Sequence, residues 1–168
     1  MTETLRKDAD YSTQWVSETA GSRKNKTRAN VSPSIPKISA HFCDVSSPTS
    51  VNDCIKSVVK THGKVDTLVT SAGFTENYDA INYPYDRMQK LWGVNVDGTY
   101  LFATGVAKHL MDRKAPGSIV FIGSMSGAIV NVPQPQAPYN AAKASDGSLF
   151  YYAGNPWEGE TLELKSRL

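Results

Sequence analysis

The pattern of apolar and polar residues divides the chain near residue 36. Up to that point apolar residues occur singly or in one pair, which predicts an irregular segment over residues 1–36 with at most one short helix. Beyond it, three short apolar runs bounded by turn residues predict buried strands at 38–42, 65–70 and 118–122. After residue 152 the apolar periodicity stops, and residues 153–168 are predicted to form an irregular tail.

Helical spacing of apolar residues fills the intervals between these strands. Ser47 predicts the N-cap of the first helix, with Pro48 at the first helical position, and Gly63 predicts the end of that helix. The second helix is predicted to begin near Asp86 and is long enough to cross a domain. Glycines flank Asn95 within it and predict a kink or the close approach of another backbone. A third helix follows the last strand.

The order of these elements predicts an α/β fold. Strands that alternate with helices imply right-handed crossovers and a doubly wound parallel sheet with helices on both faces. The carboxyl ends of parallel strands lie on one edge of the sheet, so the loops after Phe42, Thr70 and Ile122 are expected to meet there. The domain is predicted to occupy residues 37–152.

Composition is that of one globular domain. The 168 residues are 40% apolar and 20% charged, which predicts a single core. The 18 basic and 16 acidic residues are interspersed, apart from a basic cluster at 23–28 that lacks aromatic residues for stacking on bases, so no nucleic-acid or membrane surface is predicted. No apolar run approaches the roughly 20 residues that span a bilayer. A cytoplasmic location is therefore expected.

The cysteines and histidines do not form a metal-ligand pattern. Cys43 and Cys54 lack such a spacing, and Cys54 falls on the apolar face of a predicted helix, so both are expected to be reduced core residues. His41, His62 and His109 are far apart and have no carboxylate or cysteine pattern beside them. No metal site is predicted.

Tyr139 and Lys143 are the candidates for chemistry on the third helix. They lie four residues apart and therefore share one helical face. An ammonium beside a phenol favours the phenolate and lowers the pKa of tyrosine from its reference value near ~10. The same spacing is common on solvated helix faces, so the neighbouring residues decide between a general acid or base and a surface pair.

Polar groups follow each predicted strand at the edge where the loops meet. They are Asp44, the segment Ser71-Ala-Gly73, and Ser124. Each residue taken alone is also typical of a strand-end cap or a turn. Asn95, beside a helix kink, is placed to hold a water molecule, although a lone helix asparagine is more often an exposed polar residue.

Taken in this order, the motifs resemble the short-chain dehydrogenase/reductase family with an Asn-Ser-Tyr-Lys catalytic set. The resemblance covers residues 38–149. It rests on the segments Cys43-Asp-Val45, 65–73 and 95–98, on the Ser124 loop, and on 139–143. The loop 131–136 is similar to that of the mannitol dehydrogenase and sorbose reductase-like branch, whose members reduce a ketose with NADPH.

The resemblance implies a role for each catalytic candidate. Tyr139 would exchange a proton with the substrate oxygen while hydride moves to or from the nicotinamide. Lys143 would depress the pKa of that tyrosine and bind the nicotinamide ribose. Ser124 would hold the carbonyl oxygen, with Ser126 as the alternative serine because its distance from the tyrosine fits better. Asn95 would hold a water that links the lysine to solvent.

The resemblance also implies a cofactor and partners. NADP is the implied cofactor, with NAD as the alternative, and Asp44 would contact the adenine while Ala72 and Gly73 line the cofactor channel. The implied cofactor-binding residues are Asp44, Ser71, Ala72, Gly73, Asn95, Tyr139 and Lys143. Ser71 stands where the family usually has Asn. A small carbonyl or polyol is the implied substrate, and a homo-oligomer through the 86–111 and 139–152 helices is the implied assembly.

The chain departs from the family at both ends. No G-x-G occurs anywhere, so the glycine-rich turn that holds the cofactor pyrophosphate is missing. In the strand order 3-2-1-4-5-6 the absent strands fall between 38–42 and 65–70, so a partial Rossmann-like sheet is expected in which the 38–42 strand lacks its neighbours. The strand after residue 152 is also expected to be missing. The chain is expected to be an internal piece of a longer enzyme.

Two functions follow from these observations. The first is an NADP(H)-dependent oxidoreductase of polyol metabolism that reduces a ketose or another carbonyl, or oxidises a polyol. The second is a catalytically inactive, truncated remnant that retains only an oligomerisation surface. Cofactor binding would distinguish them.

Overall fold

A computed structural model describes residues 13–18, 38–154 and 162–167, with side chains for residues 38–148. Strands and helices alternate along most of this range. In chain order the elements are β1 (Thr13–Glu18), β2 (Ile38–Cys43), α1 (Pro48–His62), β3 (Thr67–Thr70), α2 (Tyr85–Trp92), a π-helical turn (Gly93–Asp97), α3 (Gly98–Asp112), β4 (Gly117–Ile122), α4 (Ala137–Gly154) and β5 (Leu162–Arg167). This is the predicted α/β alternation, with strands and helices within a few residues of their predicted bounds.

Helix α1 begins and ends where local sequence signals predict. The Ser47 side chain accepts a hydrogen bond from the backbone N–H of Ser50, and Pro48 occupies the first position. Gly63 ends the helix in the left-handed region at φ 85°, and its N–H donates to the Val59 carbonyl. The apolar face of α1 is buried against α3, where an added Cβ at Gly105 would lie 2.6 Å from Ile55 Cδ1. Both caps are therefore confirmed.

The main sheet is parallel, with the order β3–β4–β5. Its central strand, β4, carries Ile119 and Phe121, which are almost fully buried, as are Leu68 of β3 and Leu110 of α3. Alternate burial along β3 and β4 reflects helices packed on the sheet. The predicted Rossmann-like parallel sheet is confirmed.

Strand β2 does not join that sheet in the described part of the chain. It pairs antiparallel with β1, with Thr13 opposite Cys43 and Glu18 opposite Ile38. The expected separation of the 38–42 strand from the 65–70 strand is thus observed. The prediction of no strand within residues 1–36 was wrong, because the backbone of β2 supplies a partner that apolar periodicity does not reveal.

The prediction of an irregular tail was also wrong in part. Leu162–Arg167 forms β5, parallel to β4, with Leu162 opposite Gly117 and Arg167 opposite Ile122. The strand expected to be missing is therefore present. The alternation of leucines with charged residues in β5 is typical of a strand. Because the alternation is short and lies in a polar segment, it did not lead to the prediction of a strand.

The long second helix is divided by its glycines. A π-helical turn separates α2 from α3, and Asn95 lies within it. Gly98 lies against the loop after β2, because an added Cβ would be 2.9 Å from Val45 Cγ2 and 3.2 Å from the Val45 carbonyl oxygen. The predicted close approach of another backbone at these glycines is confirmed. No helix in the described ranges is long and apolar enough to cross a membrane.

Candidate active site

Asn95 is held rigidly in the π-helical turn. Its side chain is 0% exposed, and Nδ2 donates to the carbonyl of Leu91 at 2.9 Å and to that of Phe74 at 3.0 Å. Among the described residues, Asn95 Oδ1 is buried and has no hydrogen-bond partner. A buried acceptor without a partner costs about 1–3 kcal/mol. The oxygen is therefore available to a donor that enters the site.

Gly73 brings three elements together at the carboxyl end of β3. An added Cβ at this position would lie 2.6 Å from Asn95 Oδ1 and 3.9 Å from Lys143 Nζ. The first distance is far below a normal contact, so a side chain cannot occupy this position without moving Asn95. Asn95, Gly73 and Lys143, three residues predicted for the site, therefore lie together.

Lys143 is anchored at the carboxyl end of β4. Its Nζ donates to the Ile122 carbonyl at 3.0 Å and to Asp146 Oδ2 at 3.2 Å. The two charged side chains are only 8% and 3% exposed. An ammonium has three N–H donors, so the two contacts with described residues leave one N–H for another group.

Asp146 is a residue of the site that sequence analysis missed. Burial raises the pKa of its carboxyl group, and Lys143 opposes that shift through its charge and its hydrogen bond. The second oxygen, Oδ1, is buried without a hydrogen-bond partner in the described part of the chain. Its position three residues after Lys143 on a helix was the available signal.

The two candidate serines differ in their surroundings. Ser124 is half-buried, and its Oγ accepts only the backbone N–H of Ser126, at 3.2 Å, among the bonds described for it. Ser126 is buried, and its Oγ accepts the side-chain amides of Asn131 and Gln136, each at 3.1 Å. Ser126 is thus engaged with two side chains that hold the loop together, whereas the bond described for Ser124 Oγ is to the backbone of its own turn.

Gln136 is a second buried polar residue that sequence analysis missed. Its Oε1 accepts the Thr75 hydroxyl at 3.3 Å, while its Nε2 donates to Ser126. The backbone N–H of Tyr78 also donates to the Pro135 carbonyl at 3.0 Å. These bonds tie the loop after β3 to the loop before α4. No short-range spacing in the sequence indicates them.

The Ser124 loop lies directly against α4. An added Cβ at Gly127 would be 2.8 Å from both the carbonyl carbon and the carbonyl oxygen of Lys143, and 2.9 Å from the backbone nitrogen of Ala144. Because Gly127 has no side chain, the Ser124 loop can pack closely against α4, the helix that carries Tyr139 and Lys143, and this packing positions Ser124 relative to them.

Tyr139 is half-buried, one turn before Lys143 on α4. Within residues 38–148, no hydrogen bond joins its hydroxyl to Ser124 or to Lys143. The lysine binds Ile122 and Asp146 instead of the phenol. Hydrogen bonds among catalytic groups often form only when a ligand is bound, so this geometry is compatible with acid or base chemistry at Tyr139.

Asp44, Ser71 and Ala72 lie outside this cluster of contacts. Asp44 is exposed, and its Oδ1 accepts the N–H and the hydroxyl of Ser46, at 3.0 and 2.7 Å, as a turn cap does. Ser71 is exposed at the end of β3, and Ala72 packs against the core. The described contacts do not join Asp44 to Asn95.

The two cysteines lie in the core of the described part of the chain. Cys43 and Cys54 are free and buried, as predicted. Burial, together with the neighbouring Cys43 thiol, raises the pKa of the Cys54 thiol to about 12. Across the described ranges, no three His, Cys, Asp or Glu side chains are grouped as metal ligands.

The chain is similar to a family of reductases and to enzymes that act on polyols and ketoses. A family model described as Enoyl-(Acyl carrier protein) reductase matches residues 14–161. D-arabinitol 2-dehydrogenase (ribulose-forming) of Candida albicans strain WO-1 is 40% identical over 66% of this chain. The NADH-dependent L-xylulose reductase of Ambrosiozyma monospora is 40% identical over 79% of it. The NADP-dependent mannitol dehydrogenase of Alternaria alternata is 32% identical over 89% of it.

A solved structure supports the same relationship. The gluconate 5-dehydrogenase of Burkholderia cenocepacia J2315, in complex with NADP and tartrate, matches with a TM-score of 0.68 and 26% identity over 73% of this chain and 47% of that one. The chain spans 40% of the arabinitol dehydrogenase, 49% of the xylulose reductase and 55% of the mannitol dehydrogenase. It therefore spans about half the length of these relatives.

Proposed function

Because the chain belongs to the short-chain dehydrogenase/reductase family, we propose that residues 37–152 carry the acid/base part of an NADP(H)-dependent oxidoreductase site. The proposed reaction is reduction of a ketose or another carbonyl, or oxidation of a polyol. One observation carries the proposal. Lys143 Nζ and the unsatisfied Asn95 Oδ1 both lie close to Gly73, so a hydrogen-bond donor and a buried acceptor without a partner meet at the carboxyl end of β3.

Tyr139 is the proposed general acid and base. In the reducing direction its hydroxyl would give a proton to the substrate carbonyl oxygen, and in the oxidising direction its oxygen would take a proton from the alcohol. The bound nicotinamide would supply or accept the hydride. Ser124 would donate a hydrogen bond to the same substrate oxygen. The surroundings of Ser124 support this role better than those of Ser126, whose Oγ already accepts two side-chain amides within its loop.

Lys143 and Asn95 would complete the proton path. The remaining N–H of the Lys143 ammonium would donate to a ribose hydroxyl. Asn95 Oδ1 would accept a hydrogen bond from a water molecule that connects the site to solvent. This path requires the phenol of Tyr139 and the ammonium of Lys143 to come together when a ligand binds.

The residues present fit the nicotinamide end of a cofactor. Near Gly73 they offer an unsatisfied acceptor, Asn95 Oδ1, and a lysine donor, Lys143 Nζ. Asp44, Ser71 and Ala72 are proposed to line the remainder of the cofactor path, with Tyr139 and Lys143 at the ribose. The pyrophosphate end lacks such support, because the sequence has no G-x-G turn. NADP is the proposed cofactor and NAD the alternative, since relatives named for each are similar to this chain.

An inactive protein is the second candidate function, and the missing glycine-rich turn favours it. In that case the helices 86–111 and 139–152 would serve only to form an oligomer. Tyr100 and Met111 of α3 are exposed and could contribute to such a surface, whereas Phe102 is buried in the core of the same chain. An oligomer surface on the 86–111 helix would therefore use its exposed residues and not Phe102.

Fluorescence titration of NADPH into the purified chain tests the cofactor site first. Saturable binding at micromolar concentrations would support the enzyme, and no binding up to millimolar concentrations would support the inactive alternative. Turnover is then measured with ketoses and NADPH and with polyols and NADP. Tyr139→Phe should abolish turnover and leave folding intact, because only a hydroxyl is removed.

Matched variants make this test specific. Tyr100→Phe, which removes the hydroxyl of an exposed tyrosine on α3, should leave turnover unchanged. Retained turnover in Tyr139→Phe would contradict the mechanism. Ser124→Ala should lower turnover with little effect on stability. Ser126→Ala should lower stability, because it leaves the buried Gln136 amide and the half-buried Asn131 amide without their acceptor.

A further inference from the structure

The carboxylate of Asp146 is a buried charge that the proposed chemistry does not use. Its side chain is 3% exposed, and its Oδ2 lies 3.2 Å from Lys143 Nζ. Its Oδ1 has no hydrogen-bond partner among the described residues. A charge is kept in a protein interior only where a partner compensates for the loss of water. Lys143 is the partner described for this carboxylate.

The two contacts of Lys143 come from different elements. Ile122 contributes a carbonyl from the end of β4, and Asp146 contributes a carboxylate from the next turn of α4. A flexible lysine side chain that is held from two directions has one orientation, and its third N–H has a fixed direction. Gly73 is close to the ammonium, because an added Cβ there would lie 3.9 Å from Nζ.

We propose that Asp146 is a positioning residue that holds the Lys143 ammonium at the carboxyl end of β4 and neutralises its charge, so that one N–H is presented to a neutral hydroxyl beside Gly73. This inference rests on the proposed function for the identity of that ligand. Asp146 would set the orientation of Lys143 and balance its charge, and would affect the ligand only through Lys143. A neutralised ammonium suits a sugar hydroxyl better than a phosphate.

The Lys143 ammonium can be observed directly by NMR of the full chain labelled with ¹⁵N-lysine. At low temperature, ammonium protons in a buried ion pair exchange slowly enough to be detected, whereas those of exposed lysines exchange too fast. Lys143→Arg assigns the signal. We expect a protected signal in the wild-type chain, and we expect Asp146→Asn to speed its proton exchange about tenfold or more, because a charge-assisted bond is lost.

Asp53→Asn is the matched control. Asp53 and Lys56 are also three residues apart on a helix, but their charged groups are 3.9 Å apart and their side chains are 70% and 79% exposed, respectively. This substitution should leave the Lys143 signal unchanged. If Asp146→Asn does not fold, Asp146→Ser provides the same comparison with a smaller side chain. A wild-type chain without a protected Lys143 signal overturns the proposal without any variant.

NADPH titration connects this role to the ligand. If the wild-type chain binds NADPH, Asp146→Asn should weaken binding about tenfold, in line with the loss of one charge-assisted contact. Unchanged binding together with an altered ammonium signal would overturn the ligand part of the inference. If the wild-type chain does not bind NADPH, the proposed function fails, and the ammonium signal still decides whether Asp146 holds Lys143.

Discussion

Substitution of Gly127 by alanine tests whether the Ser124 loop is seated on α4. The new Cβ would lie 2.8 Å from the Lys143 carbonyl carbon and oxygen, whereas ordinary contact begins at 3.4 Å. Loop and helix would have to separate by about 0.6 Å. Both sides of this contact are backbone, so neither can yield by a change of rotamer. The strain must move the loop or the helix.

The magnitude follows from this geometry. Overpacking typically costs about 1–3 kcal/mol, and a backbone neighbour places Gly127→Ala in the upper half of that range, about 2–3 kcal/mol. This corresponds to a roughly 30- to 150-fold fall in the folding equilibrium constant. For a chain of this length it corresponds to a decrease in Tm of about 4–12 °C.

Urea unfolding followed by circular dichroism measures this effect without any cofactor. Gly147→Ala is the matched control, because Gly147 lies on α4 and, beyond its own stretch of helix, no described atom lies within 4 Å of an added Cβ. Alanine there should raise stability by about 0.5–1 kcal/mol through helix propensity. A Gly127→Ala variant as stable as the wild-type chain would refute the docking of the loop on α4.

Three further outcomes are expected. Burial and the nearby Arg113 charge lower the pKa of His109 below its reference value of 6.5, so the folded state resists protonation. The contribution of His109 to the free energy of unfolding should therefore be fully present above about pH 6.5 and should be lost as the pH falls toward the folded-state pKa. Urea midpoints measured from about pH 7 to about pH 5 should show this fall, and His109→Gln should make it smaller. Because the pKa of the Cys54 thiol is raised to about 12, iodoacetamide should label it only at the rate of unfolding; fast labelling in the native state would contradict its burial. Gln136→Leu should lower stability by about 1–3 kcal/mol in thermal unfolding, because it leaves the Thr75 hydroxyl and Ser126 without their amide partner, and an unchanged Tm would contradict this role.

Features set by neighbouring residues could be predicted from the sequence. The start of α1 depends on Ser47 and Pro48, and its end depends on Gly63, all of which act within one helical turn. The glycines around Asn95 predicted an irregular backbone, and a π-helical turn is found there. The resemblance to the family implied a site that contains Gly73, Asn95 and Lys143, and these three residues lie close together.

Features that depend on distant partners could not be predicted in the same way. Strand β1 exists by pairing with β2, and β5 by pairing with β4, so neither required a strong apolar pattern of its own. The hydrogen bond between Gln136 and Thr75 joins two loops, and the two residues are 61 positions apart in the sequence. It depends on the paths of both loops. The contact between Lys143 and Asp146 obeys helical spacing, but its burial depends on what packs over α4.

The π-helical turn has a consequence for how this region can change in length. A π-helical turn holds one residue more than an α-helical turn, so the segments before and after Gly93–Asp97 differ in phase by about 100°. Deletion of one residue there would restore a regular α-helix. The deletion would rotate α3 relative to α2. Either Asn95 would then lose its hydrogen bonds to the Phe74 and Leu91 carbonyls, or the buried face of α3 would turn toward solvent. The register of the whole helix is thus fixed by a single extra residue, and this segment should accept substitutions far more readily than insertions or deletions.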